Sequence, residues 1–171
     1  MRIRYAAVTC ASAAALLSLT GCTAPGAGIT GITVTATGRP VGVLMICHKH
    51  IDGATLYADD DPNGPEVGDW RRTRPATGLV TWPLATGGPG WTVDKPMPTA
   101  LDRGRTYILY GWTDDDSWSA ADVSFTLTDL AALQPGQVRY FAGDVKGADD
   151  DGYRTGSLAE FRAAACDDTD T

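Results

Sequence analysis

Period-two alternation of apolar and polar residues, broken by turn residues roughly every 8–12 positions, most constrains what this chain can fold into. Val123-Ser124-Phe125-Thr126-Leu127 is its cleanest instance: three apolar side chains on one face, two hydroxyls on the other. Ile32, Val34 and Ala36 alternate with Thr33 and Thr35 in the same way. Val41 to Cys47 is continuously apolar, the pattern of a central strand covered on both faces. Asp52-Gly53 is a hairpin signal with Thr55 to Ala58 returning, and a Pro/Gly-rich loop is expected from Asp59 to about Ala76. Further strands are expected over Gly78 to Leu84, Arg105 to Thr113 (the longest) and Val138 to Phe141. Trp91 to Val93 reads as an edge piece before Pro96 and Pro98. Asp114-Asp115-Asp116 turns one strand into the next, and Thr128 to Leu133 has room for one helical turn. With no long helical period, these segments predict an all-β antiparallel sandwich of about seven to eight strands. Ser157-Leu158-Ala159-Glu160 is a capping box that opens a short C-terminal helix, with Leu158 and Phe161 expected to pack on the strands.

The N-terminus is of another kind. Arg2 and Arg4 precede an apolar run from Ala6 to Leu19, too short and Ala-rich for a comfortable membrane span. The segment Leu19-Thr20-Gly21-Cys22 that follows resembles the lipobox of bacterial lipoprotein precursors. That resemblance implies cleavage before Cys22 and alkylation of its thiol by a diacylglyceryl group carrying palmitate-type chains. Residues 1–21 would be the signal peptide, 22–28 a lipidated linker and 29–171 the ectodomain on the extracytoplasmic face of the cell membrane. Each buried methylene contributes about 0.8 kcal/mol, so two or three acyl chains anchor stably.

Of the 14 basic residues, Arg2 and Arg4 lie in that signal, leaving 12 against 21 acidic residues, a net charge of −9. Such a balance argues against nucleic acid as a partner, since few cations are available to neutralise phosphates. Lysine is confined to Lys49, Lys95 and Lys146; with abundant Ala, Gly, Asp and Thr, the composition resembles the bias of high-GC actinobacterial genomes.

Four cysteines sharpen the reading. Cys10 leaves with the signal and Cys22 takes the lipid, so Cys47 and Cys166 remain and most simply pair in an oxidising compartment. Leu101-Asp102-Arg103-Gly104-Arg105-Thr106-Tyr107 resembles the tyrosine corner of fibronectin type III and immunoglobulin-like domains, in which the Tyr hydroxyl bonds to upstream backbone. This likeness implies an immunoglobulin-like sandwich and says nothing of function.

Three groups of residues bear on chemistry. Asp59-Asp60-Asp61-Pro62-Asn63-Gly64 matches the first six positions of a calcium loop, with Asp59, Asp61 and Asn63 as the alternating oxygen donors. Its twelfth position is Trp70, where a bidentate Glu is expected; Glu66 or Asp69 would have to substitute, and a solvated acidic loop is the competing reading. His48 and His50 would share one face of a strand, as zinc or copper ligands do, or are simply two rim histidines. Trp82 and Trp112 sit in strand alternation and read as core. Trp70, Trp91 and Trp118 lie in or beside loops and suit ligand stacking, or cap the end of the fold.

The chain has no G-x-S-x-G, S-x-x-K or phosphate loop. The expectation is therefore a membrane-anchored binding or structural module of the cell envelope, with no cofactor except possible calcium and with envelope carbohydrate or protein as partner. A calcium-dependent carbohydrate-binding module is the first alternative and a cell-envelope hydrolase the second.

Overall fold

A computed structural model of the chain describes residues 24–58 and 64–167. The expected signal segment, Cys22 and the expected calcium donors Asp59, Asp61 and Asn63 lie outside the described residues. The elements in chain order are β1 (Gly26–Val34), β2 (Pro40–Ala58), β3 (Glu66–Pro83), β4 (Trp91–Lys95), β5 (Thr106–Trp112), β6 (Ser119–Ala121), β7 (Val123–Thr126), α1 (Leu127–Ala132), β8 (Gln137–Phe141), β9 (Tyr153–Ser157) and α2 (Leu158–Asp167). Among the described residues the fold is mostly β with a short C-terminal helix, as the alternation indicates.

The strands are joined differently from the expected pair of separate sheets. One hydrogen-bonded path runs β4-β3-β2-β5-β6-β1-β8-β9, β7 sits beside β5, and a β2–β1 pairing closes it. The first half of β2 pairs with β1, from Gly28↔Ile46 to Val34↔Pro40. Its second half pairs with β5, from Gly53↔Trp112 to Ala58↔Tyr107. β6 joins β5 through Trp112↔Ser119 and lies parallel to β1, so β1, β2, β5 and β6 form a small closed barrel. β2 serves both neighbours because it bends midway. Lys49 takes a left-handed backbone conformation (φ 57°), and the register against β3 jumps between Ile46 and Ile51.

Several boundaries follow from this arrangement. No hairpin forms at Asp52-Gly53, because Gly53 lies inside β2, paired to Arg71 on one side and Trp112 on the other. The second half of the expected 59–76 loop is strand, since β3 begins at Glu66. β2, with 19 residues, and not β5, with seven, is the longest strand. Gly26 to Gly28 belong to β1 instead of a linker. Two expected strands merge into β2, and β6 and β9, neither of them expected, bring the described count to nine; the only buried residue of β9 is Gly156, which left no alternation to read.

Leu44 and Ile46 face the main core, whereas Val43 faces a second cluster with Ile29, Val138, Tyr140 and Phe161. The apolar run in β2 is thus covered on both faces, one of them by α2. Phe161 is fully buried, but Leu158 is 37% exposed and does not pack as expected. The capping box forms: the Ser157 amide donates to the Glu160 carboxylate (2.7 Å), and the Glu160 amide donates to Ser157 Oγ (3.2 Å). Cys47 on β2 and Cys166 on α2 are disulfide-bonded, their Cα atoms 5.6 Å apart. Buried Tyr107 accepts a hydrogen bond on its hydroxyl from the Asp102 amide (2.8 Å), the bond that defines a tyrosine corner.

Candidate functional site

On the outer face of the β3–β2–β5 sheet the strands expose every second residue. In β5, Tyr107, Leu109 and Gly111 are buried, so Tyr110 and Trp112 point the other way. Thr55 and Tyr57 project beside them from β2, and Glu66 and Asp69 from β3. With Asp116, Trp118 and Ser119 from the β5–β6 turn, and Ala24 from the start of the described chain, they line a cleft of about 340 Å³.

A hydrogen-bonded chain forms its floor. Trp112 Nε1 donates to Thr55 Oγ1 (2.7 Å), and Thr55 Oγ1 donates to the Asp69 carboxylate (2.6 Å). Thr55 is only 3% exposed, so this hydroxyl is part of the built structure. Asp69 also acts on the Glu66 carboxyl beside it in β3. Partial burial raises the Glu66 pKa above the usual carboxylate range, and Asp69 pushes the same way, with Lys95 opposing. The Tyr57 and Tyr110 rings stack 5.9 Å apart, 16° from parallel. Tyr110 is also raised, by burial first, then by its hydrogen bond to Tyr57 and the nearby charges of Asp116 and Asp69.

The rim carries the cations. Arg71 lies 5.0 Å over the Trp112 ring and pairs with Asp94 (3.1 Å) and Asp114. Lys49, at the bend of β2, lies 5.6 Å over the Trp118 ring. At that bend Lys49 also breaks strand alternation between His48 and His50, and His50 Nε2 lies 3.4 Å from Asp52. Among the described residues no group of three or more His, Cys, Asp or Glu is placed to hold a metal ion.

Of the three tryptophans expected at a ligand, Trp118 lines the cleft and two belong to the core. Trp70 is wholly buried because it lies in β3 instead of a loop, and its Nε1 donates to the Leu84 carbonyl (3.0 Å). Trp91 is 7% exposed and stacks on Trp82 at 4.4 Å, with Arg72 over it at 5.0 Å. Neither ring offers an open face. Trp112, expected in the core, is in the cleft. The i, i+2 pairs Thr55/Tyr57 and Tyr110/Trp112 were the available signal, but it emerges only once β2 is known to continue through Gly53.

Chemically, the cleft offers π faces, hydroxyls and carboxyl groups on three adjacent strands. No protein-family model, curated protein or solved structure matches the chain.

Proposed function

We propose that this chain is an extracytoplasmic lipoprotein, anchored to the cell membrane through acylated Cys22, whose domain binds an envelope ligand in the Tyr57–Tyr110–Trp118 cleft. The observation that carries the reading is that cleft: aromatic and carboxyl side chains converge over a hydrogen-bonded floor. Ala24 lines it, two residues from Cys22, so at most about 7 Å of chain would separate anchor and site. The ligand would then be met close to the bilayer surface. An immunoglobulin-like origin of the small barrel belongs to the same reading and is supported by the Tyr107–Asp102 bond.

Carbohydrate is favoured over protein as the ligand class because the site is a concave strip of aromatic faces edged by hydrogen-bonding groups. The calcium-dependent form of this reading has one specific support. That support is the alternation of Asp59, Asp61 and Asn63 as oxygen donors in the sequence.

The test has two arms. Labelled palmitate should enter the wild-type protein and not Cys22→Ser, which should leave the membrane fraction. Envelope glycans should quench tryptophan fluorescence of the wild type, and Trp118→Leu should remove that quench. Incorporation of label into Cys22→Ser, or glycan quenching that survives Trp118→Leu, would overturn the respective part.

A further inference from the structure

We propose that the cleft takes an organic cation, a protonated amine or alkylammonium group, seated against its ring faces and between its carboxyl groups. The inference rests on reading the cleft as a ligand site and adds the charge of what enters it. The lining contains four aromatic side chains and three carboxyl groups, and no Lys, Arg or His. Among the described residues, none of Glu66, Asp69 and Asp116 is in an ion pair.

The rings point to the same ligand independently of the acids. Two of the four already hold cations of the protein's own, Arg71 on Trp112 and Lys49 on Trp118. Trp112 is seated on Gly53 with Arg71 over its ring, so the indole left to meet a ligand ammonium group is Trp118, on the face away from Lys49. Stacked Tyr57 and Tyr110 add two more π systems to the lining. A cavity of about 340 Å³ has room for a small cationic group. The raised Glu66 pKa fits as well, since an incoming positive charge would offset the burial and the Asp69 charge that raise it. Lys95 is the cation that already acts on Glu66, and a ligand cation would do so from inside the cleft.

The experiment compares choline with its neutral carbon isostere, 3,3-dimethylbutan-1-ol, by calorimetry and tryptophan fluorescence on the full chain in detergent. Choline should bind with a dissociation constant of about 1 mM, and the isostere roughly tenfold more weakly or worse. Glu66→Gln, Asp116→Asn and Trp118→Leu should each weaken choline several-fold while circular dichroism and the melting temperature show an intact fold. Equal binding of the two probes, no binding of either, or choline binding unaffected by all three variants overturns the proposal. If neutral saccharides quench the cleft tryptophans and choline does not bind, the cleft stands as a ligand site and its cation preference falls.

Discussion

The indole of Trp112 lies so close over Gly53 that a Cβ built there would stand 2.2 Å from the ring. Gly42 and Trp82 repeat the relationship at 2.4 Å, also across a strand pair of β2. In each case the missing side chain gives a large ring a seat on the backbone. One seat lies under the core tryptophans and the other under the cleft.

Gly53→Ala should therefore destabilise by about 1–3 kcal/mol, through overpacking that displaces Trp112 and its bond to Thr55. Gly26→Ala, whose Cβ would meet nothing within 4 Å, should change stability by less than about 0.5 kcal/mol. Urea unfolding measures both, and equal small effects would refute the seating.

Tyr107→Phe should cost about 1 kcal/mol, because it deletes the acceptor of the Asp102 amide and leaves the buried ring in place. Chemical denaturation checks the size. The Asp102 amide should also exchange faster with solvent in the variant.

That bond was legible from seven residues, as were the alternation of β7, the two-sided burial of Leu44 and Val43, the Ser157 capping box and the Cys47–Cys166 pairing. Local pattern sufficed there because each signal lies in one element or follows from counting cysteines. The closed path was not legible, since it depends on the bend at Lys49, and nothing in Cys47-His48-Lys49-His50 announces a left-handed residue. Half of the cleft was hidden for the same reason. With a hairpin placed at Asp52-Gly53, Tyr57 and Tyr110 cannot be brought side by side, and Trp70 falls into a loop instead of a core strand.

On α2, Phe161→Ala should cost about 3–5 kcal/mol and Leu158→Ala less than about 0.5 kcal/mol, because only the first side chain is buried. Melting of the two variants side by side decides it. Comparable losses would mean that the helix is seated differently.

Loss of the disulfide, by reduction or as Cys47→Ser with Cys166→Ser, should destabilise by about 2–5 kcal/mol. Non-reducing peptide mapping should recover the two cysteines in one linked fragment pair. Free thiols at both positions in protein isolated from its native location would contradict the structure.

Stability should also depend on pH through Glu66. Its pKa is raised on folding, so its contribution to stability is complete below the unfolded value and is lost as pH rises through the folded one. Glu66→Gln does not titrate, so its stability relative to wild type should rise between about pH 4 and pH 7. Denaturation midpoints at both pH values test this, and a difference independent of pH would show that folding does not raise the Glu66 pKa through burial and Asp69.

The bond between Cys47 and Cys166 also sets an order of events. The two thiols are 119 residues apart in sequence, and the second lies on the last described helix. During synthesis Cys47 must wait, reduced or temporarily capped, until nearly all of the domain has emerged. The covalent closure of this domain therefore cannot precede the emergence of α2, and an oxidant that acts too early finds Cys47 without its partner.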